Sequence, residues 1–416
     1  MSSARAIRVA PLLFASGFCA LIYQTVWLRE FRLFFGASTA ATSAVLAIFM
    51  GGLGFGGALL GRRVESVERP LRFYAQLELM IGLTAAVTPA LIALMRYIYI
   101  GLGGTMAMGL TLGTIVRLLM SAVVLGVPTF LMGGTLPAVA RATVGEEDIN
   151  RRLVALLYGM NTLGAVIGTL LSTFYLLEKW GNSLALMVAA IFNVGIALMA
   201  FSIAKQLPAI QAAPRKPVKI QQSAAPPAFV YIASAVAGFV FLLMEIVWYR
   251  MLCSILSAST FTFGLILAVA LLGIGLGGLI YAMWFGGRRI GLSTFALVSA
   301  LEALCVAFPY ALGDQVALVA LLLRPLGVFG FGGFVTGWAV VCLIVVLPAA
   351  IVAGVQFPML IALLGKGRTK VGSQTGATYA WNTLGAIAGS LAGVLVFCLY
   401  FPRPECGGCP SLYWAL

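Results

Sequence analysis

Histidine is absent from all 416 residues. Any mechanism that needs an imidazole base or ligand is therefore excluded within this chain. Charge of either sign is scarce: 9% of residues are Asp, Glu, Lys or Arg, and only twelve are acidic. A soluble domain of this length, 62% hydrophobic with a mean hydropathy of +1.07, has too little polar surface to cover its apolar content. Cysteines number seven and are scattered. Cys19, Cys253, Cys305, Cys342 and Cys398 sit in apolar runs as small packing residues. Cys406 and Cys409 form one CxxC without a second pair, which is weak support for zinc or redox work, so no metal or cofactor is expected. No cleavage pattern follows the first apolar run, so the N-terminus does not read as a cleavable signal.

What fills the chain instead is apolar runs of about 20 residues or more, each able to cross a hydrocarbon core as a helix. The first half reads as six spans near 9–34, 38–61, 72–100, 112–141, 151–178 and 182–204. Residues 205–227 are polar, basic and proline-rich, an extended linker. Spans near 228–255, 259–284, 291–312, 333–364 and 371–401 follow, with a glycine-containing connection at 313–332 that carries a short helix at 314–324. The net charge of +14 does not point to nucleic acid. Arg5, Arg8, Arg62, Arg63, Arg69, Arg72, Arg141, Arg151, Arg152, Lys205, Arg215, Lys216, Lys219, Arg288, Arg289, Lys366, Arg368 and Lys370 all fall on one side of this topology. That bias is expected of cytoplasmic loops and places the N-terminus in the cytoplasm of, by expectation, a bacterial inner membrane.

The two halves repeat. Gly17–Arg29, GFCALIYQTVWLR, returns 221 positions later as Gly238–Arg250, GFVFLLMEIVWYR. The same offset relates Ser38-Thr39 to Ser259-Thr260, Gly52, Gly54, Gly56 and Gly57 to Gly273, Gly275, Gly277 and Gly278, and the Asn-Thr-Leu-Gly-Ala runs at Asn161 and Asn382. A register kept this far means a duplicated structural unit. With an even number of spans per repeat both copies enter the membrane in the same direction, as in major-facilitator transporters. The expected fold is all-α and polytopic: a first repeat over 1–204, a second over 228–401, and about 11 transmembrane helices in total. After Phe401 the chain reads PRPECGGCPSLYWAL where a sixth span is expected. Either that helix is absent by nature or the C-terminus, 402–416, is truncated or frame-shifted, and the second is the favoured expectation.

Both glycine runs match the dinucleotide fingerprint, but they lie inside apolar spans, without the strand-to-turn context that chemistry needs. They read as close helix approaches. Three acidic residues fall within spans: Glu78, Glu245 and Glu302. A carboxylate in the bilayer is costly and turns to a cavity or a partner. Two roles are open: pairing with Arg29, Arg117 or Arg250, or binding a substrate or ion. Gln24 is the repeat counterpart of Glu245. Asn161 and Asn382 read as interhelical hydrogen-bonding residues, and Trp27 and Trp248 as interface anchors or cavity walls. Pro128, Pro137, Pro348 and Pro358 imply kinks in the fourth and tenth spans. Trp248 shares a helix face with Glu245 while Arg250 points elsewhere. The candidate substrate-binding set is therefore Tyr23, Gln24, Trp27, Glu78, Asn161, Glu245, Trp248, Glu302 and Asn382, with no catalytic residue.

These motifs, together with Gly36–Thr39, the glycine run into Gly61-Arg62-Arg63, and Gly133-Gly134-Thr135-Leu136-Pro137, resemble the membrane region of the spermidine-synthase-like membrane proteins, the major-facilitator/spermidine-synthase fusions. The resemblance covers residues 10–401. It departs at Gln24, where members commonly carry glutamate, while Glu245 keeps it. In fused members a soluble, Rossmann-like aminopropyltransferase domain follows the last helix and binds decarboxylated S-adenosylmethionine. No such domain lies in this sequence, so no catalytic residue carries over, and the chain alone is not expected to be an enzyme. The resemblance implies a module that handles or transports a small cationic, polyamine-like substrate, with the lipid bilayer and a separate or downstream synthase as partners. A secondary transporter unrelated to polyamines and an accessory subunit of a larger membrane complex are the alternatives.

Overall fold

The computed structural model describes residues 2–35, 39–145, 148, 150–207, 225–257, 259–288, 290–365 and 370–400. Most of the basic linker, 208–224, and the tail with its CxxC lie outside them. Among the described residues there is no strand. The first half contains α1 (Ser2–Phe35), α2 (Thr39–Arg63), α3 (Pro70–Gly101), α4 (Gly104–Gly133), α5 (Thr135–Thr143), α6 (Arg152–Leu171) and α7 (Gly181–Gln206). The second contains α8 (Pro227–Leu256), α9 (Thr260–Ile280), α10 (Leu292–Leu312), α11 (Gln315–Leu323), α12 (Phe331–Val345), α13 (Leu347–Leu363) and α14 (Val371–Tyr400).

Local chemistry sets the ends. Pro70 and Pro227 open α3 and α8, where a missing N–H costs nothing. Asp148 accepts hydrogen bonds from the backbone N–H of Arg152 and Leu153, at 2.8 and 2.9 Å, and so caps α6 with a carboxylate. Ser259 caps α9 through Thr262 N–H at 3.2 Å. The proline-rich fourth and tenth spans are each broken, at Gly134 between α4 and α5 and at Val346 between α12 and α13, the second pair bending by 54°. Nine helical stretches of the described residues are long and apolar enough to cross a membrane, and ten if that bent pair is one span. α14 takes the eleventh place, packed between α8 and α2. The protein is a multi-pass integral membrane protein.

Packing follows the repeat. In the first half α1 lies against α6 and α2 against α4; in the second α8 lies against α14 and α9 against α13. The halves meet through α2 on α14 and through α6 on α9, which exchange places under the repeat. A β-carbon at Gly17 would collide with the carbonyl of Asn161, and one at Gly238 with the carbonyl of Asn382. The two sequence motifs thus touch each other in both copies, and glycine is what lets the backbones close. One packing has no second copy: α7 covers α1 and α3, whereas nothing among the described residues covers the same faces of α8 and α10. Cys19, Ile22 and Val26 on α1 are fully buried, while their counterparts Val240, Leu243 and Val247 on α8 are only half-buried.

Candidate functional site: a cavity between the halves

A cavity of about 250 Å³ lies between the halves, walled by residues of both. α1 contributes Ser16, Tyr23 and Gln24, α6 contributes Asn161, α8 Glu245 and α14 Asn382. The Gly17–Asn161 contact sets α1 on α6 and the Gly238–Asn382 contact sets α8 on α14, and residues of both pairs line the cavity. At one end of the cavity Tyr158 packs on Phe357, ring centroids 4.7 Å apart, and Tyr379 packs on the same ring at 6.2 Å, making an aromatic floor from both halves. A larger hollow, about 540 Å³, lies off this axis among α8, α11 and α12, where Arg324 is its one charged wall residue. It joins no sequence-predicted site residue.

The three carboxyls in the spans differ in setting. Glu245 lines the cavity, and among the described residues no hydrogen bond or ion pair engages it. Glu78 on α3 is completely buried one layer behind the wall. Its Oε1 accepts from the Ser16 hydroxyl at 2.6 Å and its Oε2 from the Asn193 amide of α7, which in turn accepts from the Tyr23 hydroxyl at 3.0 Å. Glu302 on α10 accepts from the Gln356 amide of α13 at 2.5 Å and stands away from the cavity. None of the three pairs with an arginine among the described residues. Arg29 donates to the Leu177 carbonyl at 3.4 Å, Arg117 to the Phe34 carbonyl at 3.3 Å, and the ion pairs among the described residues are Arg96–Glu30 at 3.9 Å and Arg141–Glu65 at 3.3 Å.

Of the sequence-derived candidates, Tyr23, Gln24, Asn161, Glu245 and Asn382 come together in one cavity. Trp27 and Trp248 do not line it. Trp27 is buried, stacks on Tyr23 at 5.4 Å and donates to the Thr88 hydroxyl at 3.0 Å. Trp248 is buried against Phe241 and has no hydrogen-bond partner among the described residues. Asn382 donates to the Ser234 carbonyl at 3.1 Å, an interhelical bond between α14 and α8. Sequence reasoning missed Ser16 and Asn193. An asparagine in an apolar span was the available signal for the second; Ser16 had none, since span serines commonly bond their own helix.

The halves are tied together at the end that carries the basic loops. There Glu65, just past α2, pairs with Arg141 of α5 and accepts from the Ser373 N–H of α14 at 3.0 Å. Arg151, fully buried, donates to Gln374 of α14. Burial lowers its guanidinium to about 10, with Asp148 and Glu65 acting in the opposite direction, so it stays cationic near neutrality. The Tyr281 hydroxyl of the second half donates to the Asn150 carbonyl at 2.8 Å, and the Asn150 amide to Gly286 at 3.3 Å. Beneath these bonds a β-carbon at Gly376 would strike the Gly57 carbonyl, so α2 and α14 touch backbone to backbone.

No protein-family model matches the chain, and no curated protein matches it. Solved structures do resemble it. The human organic anion transporter MFSD10 superposes with a TM-score of 0.54 at 16% identity, covering 94% of each chain. A bacterial homologue of the iron transporter ferroportin, in an outward-facing state, gives 0.53 at 12% identity over 93% of this chain and 92% of that one. The proton:xylose symporter XylE gives 0.50 at 11% identity over the whole of both chains.

Proposed function

The chain has the major-facilitator fold, and from that premise we propose that it is a secondary transporter of a small organic cation of polyamine type, bound in the cavity between its halves. The observation that carries this reading is Glu245: a carboxylate on a cavity wall inside the membrane, with no protein partner among the described residues. A charge placed there is costly unless a cation meets it. An ammonium group supplies that charge, and the Gln24, Asn161 and Asn382 side chains supply hydrogen bonds to the rest of the ligand. The aromatic floor of Tyr158 and Tyr379 suits the methylene segments and offers ring faces to a second ammonium.

Uptake of radiolabelled putrescine and spermidine into liposomes holding the purified full chain tests this. A charge-assisted hydrogen bond is worth about 1.5–3 kcal/mol. Glu245→Gln is therefore expected to weaken binding by roughly 10- to 100-fold while the protein inserts and melts as before. Uptake by Glu245→Gln equal to that of the unaltered chain, or no polyamine uptake by the unaltered chain, refutes the proposal.

A second reading, a membrane module that serves a partner such as a synthase or another membrane subunit, draws on one observation. Among the described residues, nothing covers the faces of α8 and α10 that match those covered by α7 in the first half. A partner that co-purifies in fixed ratio, with no ligand response in the complex, supports that reading over transport.

A further inference from the structure

Glu78 stands directly behind two residues of the cavity wall without lining the cavity itself. It is wholly buried among α1, α3 and α7, and its partners are neutral: the Ser16 hydroxyl on one oxygen and the Asn193 amide on the other. The titratable groups that face it are Cys19 and Tyr23 from α1 and Tyr74 from α3, and α7 adds only the Asn193 amide. The Tyr74 hydroxyl is also bonded to the Leu12 carbonyl, at 3.2 Å. No lysine or arginine among the described residues pairs with it. An uncompensated charge in such a place is expensive, so the group must be neutralised for part of its working life.

Its contacts suit both states. When Glu78 is ionised, Ser16 and Asn193 each donate to one oxygen. When it is protonated, the Ser16 hydroxyl can turn and accept, because a hydroxyl carries both a donor and lone pairs, while the amide still donates to the other oxygen. Ser16 and Asn193 both also line the cavity, so each has one side toward Glu78 and one toward the ligand space. Asn193 is tied further to Tyr23, another wall residue, at 3.0 Å. Glu302, in the corresponding span of the second half, is placed differently: its amide partner Gln356 does not line this cavity but a small adjoining pocket that shares Tyr158 and Asn382 with it.

We infer that Glu78 is a proton-binding site distinct from the substrate carboxylate, exchanging one proton with the cavity through the Ser16 hydroxyl in the course of transport. The carboxyl O–H bond breaks as the Ser16 oxygen takes that proton, the hydroxyl's own proton passes to a cavity water, and nothing is oxidised or reduced. A cation arriving beside Glu245 favours the ionised form of Glu78, so the proton leaves as the cation enters and the exchange is antiport. That last step rests on the transport reading above; the proton site itself does not.

Two measurements on the purified full chain in liposomes test the inference. The first needs no substrate. The infrared difference spectrum between acidic and alkaline buffer is expected to contain a protonated-carboxyl C=O band that disappears in Glu78→Gln and persists in Glu245→Gln. The second uses putrescine as probe. Glu78→Gln is expected to keep putrescine counterflow, which needs no proton, and to lose at least tenfold of the accumulation driven by a pH gradient. Ser16→Ala, which retains the carboxyl, is expected to slow the same accumulation and guards against misfolding of the glutamine variant. A spectrum unchanged in Glu78→Gln, or undiminished gradient-driven accumulation, overturns the assignment, and loss of counterflow overturns it in favour of direct substrate binding. If the unaltered chain moves no putrescine, the polyamine reading fails and the infrared band alone decides the proton site.

Discussion

Gly17 and Gly238 have no side chain because the carbonyls of Asn161 and Asn382 occupy the space a β-carbon needs. Valine at either position must push α1 from α6, or α8 from α14, and overpacking of this kind costs about 1–3 kcal/mol. Gly17→Val and Gly238→Val are each expected to lower the melting temperature of the purified protein, whereas Gly195→Val, with open space beside it, is expected to leave it unchanged. Equal melting of all three would show that these helix contacts carry no packing weight. The pairing of Gly17 with Gly238 and of Asn161 with Asn382 is visible in the repeat; that the first pair touches the second is not, since a shared offset says nothing of which spans are neighbours. Glu78 was visible as a costly residue, but its partners lie 62 and 115 positions away and carry no charge that would mark them.

At the scale of elements, the closure of the halves has two layers: glycine backbone contact between α2 and α14, and above it the polar latch of Glu65, Arg141, Arg151 and Gln374. The latch holds groups whose charges are largely removed from water, so losing one partner strands the other. Glu65→Ala combined with Arg151→Ala is expected to open this end more often. In a cysteine-free background with one cysteine at Tyr379, the double variant should react with a maleimide applied from the basic-loop side several-fold faster than its parent. An unchanged rate would mean that the glycine contact alone holds the closure. The number and order of the spans were legible because apolar runs separated by arginines leave few alternatives. The breaks at Gly134 and Val346 were foreshadowed by the prolines but not placed by them: they lie three and two residues before Pro137 and Pro348, whose rings crowd the preceding turn and whose missing N–H leaves a carbonyl of that turn without its helical bond.

For the whole molecule the decisive fact is that the loops α2–α3, α5–α6, α9–α10 and the start of α14 bond to one another, and so lie at one end. Arg62, Arg63, Arg141, Arg152, Arg288 and Lys370 belong to these segments. A parallel repeat requires this gathering, because each half then presents its even loops on the same side. The spanning positive charge makes one orientation the cheaper: basic loops stay cytoplasmic when they are short, as all of these are. On that expectation the latched end is the cytoplasmic end. Single cysteines at Ser66 and Gly287, in a cysteine-free background, are accordingly expected to resist a membrane-impermeant reagent in intact cells and to react in inverted vesicles, while one at Leu102, at the far end of α3, should do the reverse. Labelling of Ser66 and Gly287 on opposite sides would contradict the parallel repeat itself. Labelling of both from outside would leave the fold intact, reverse the orientation, and turn the latched end into the one that faces the exterior.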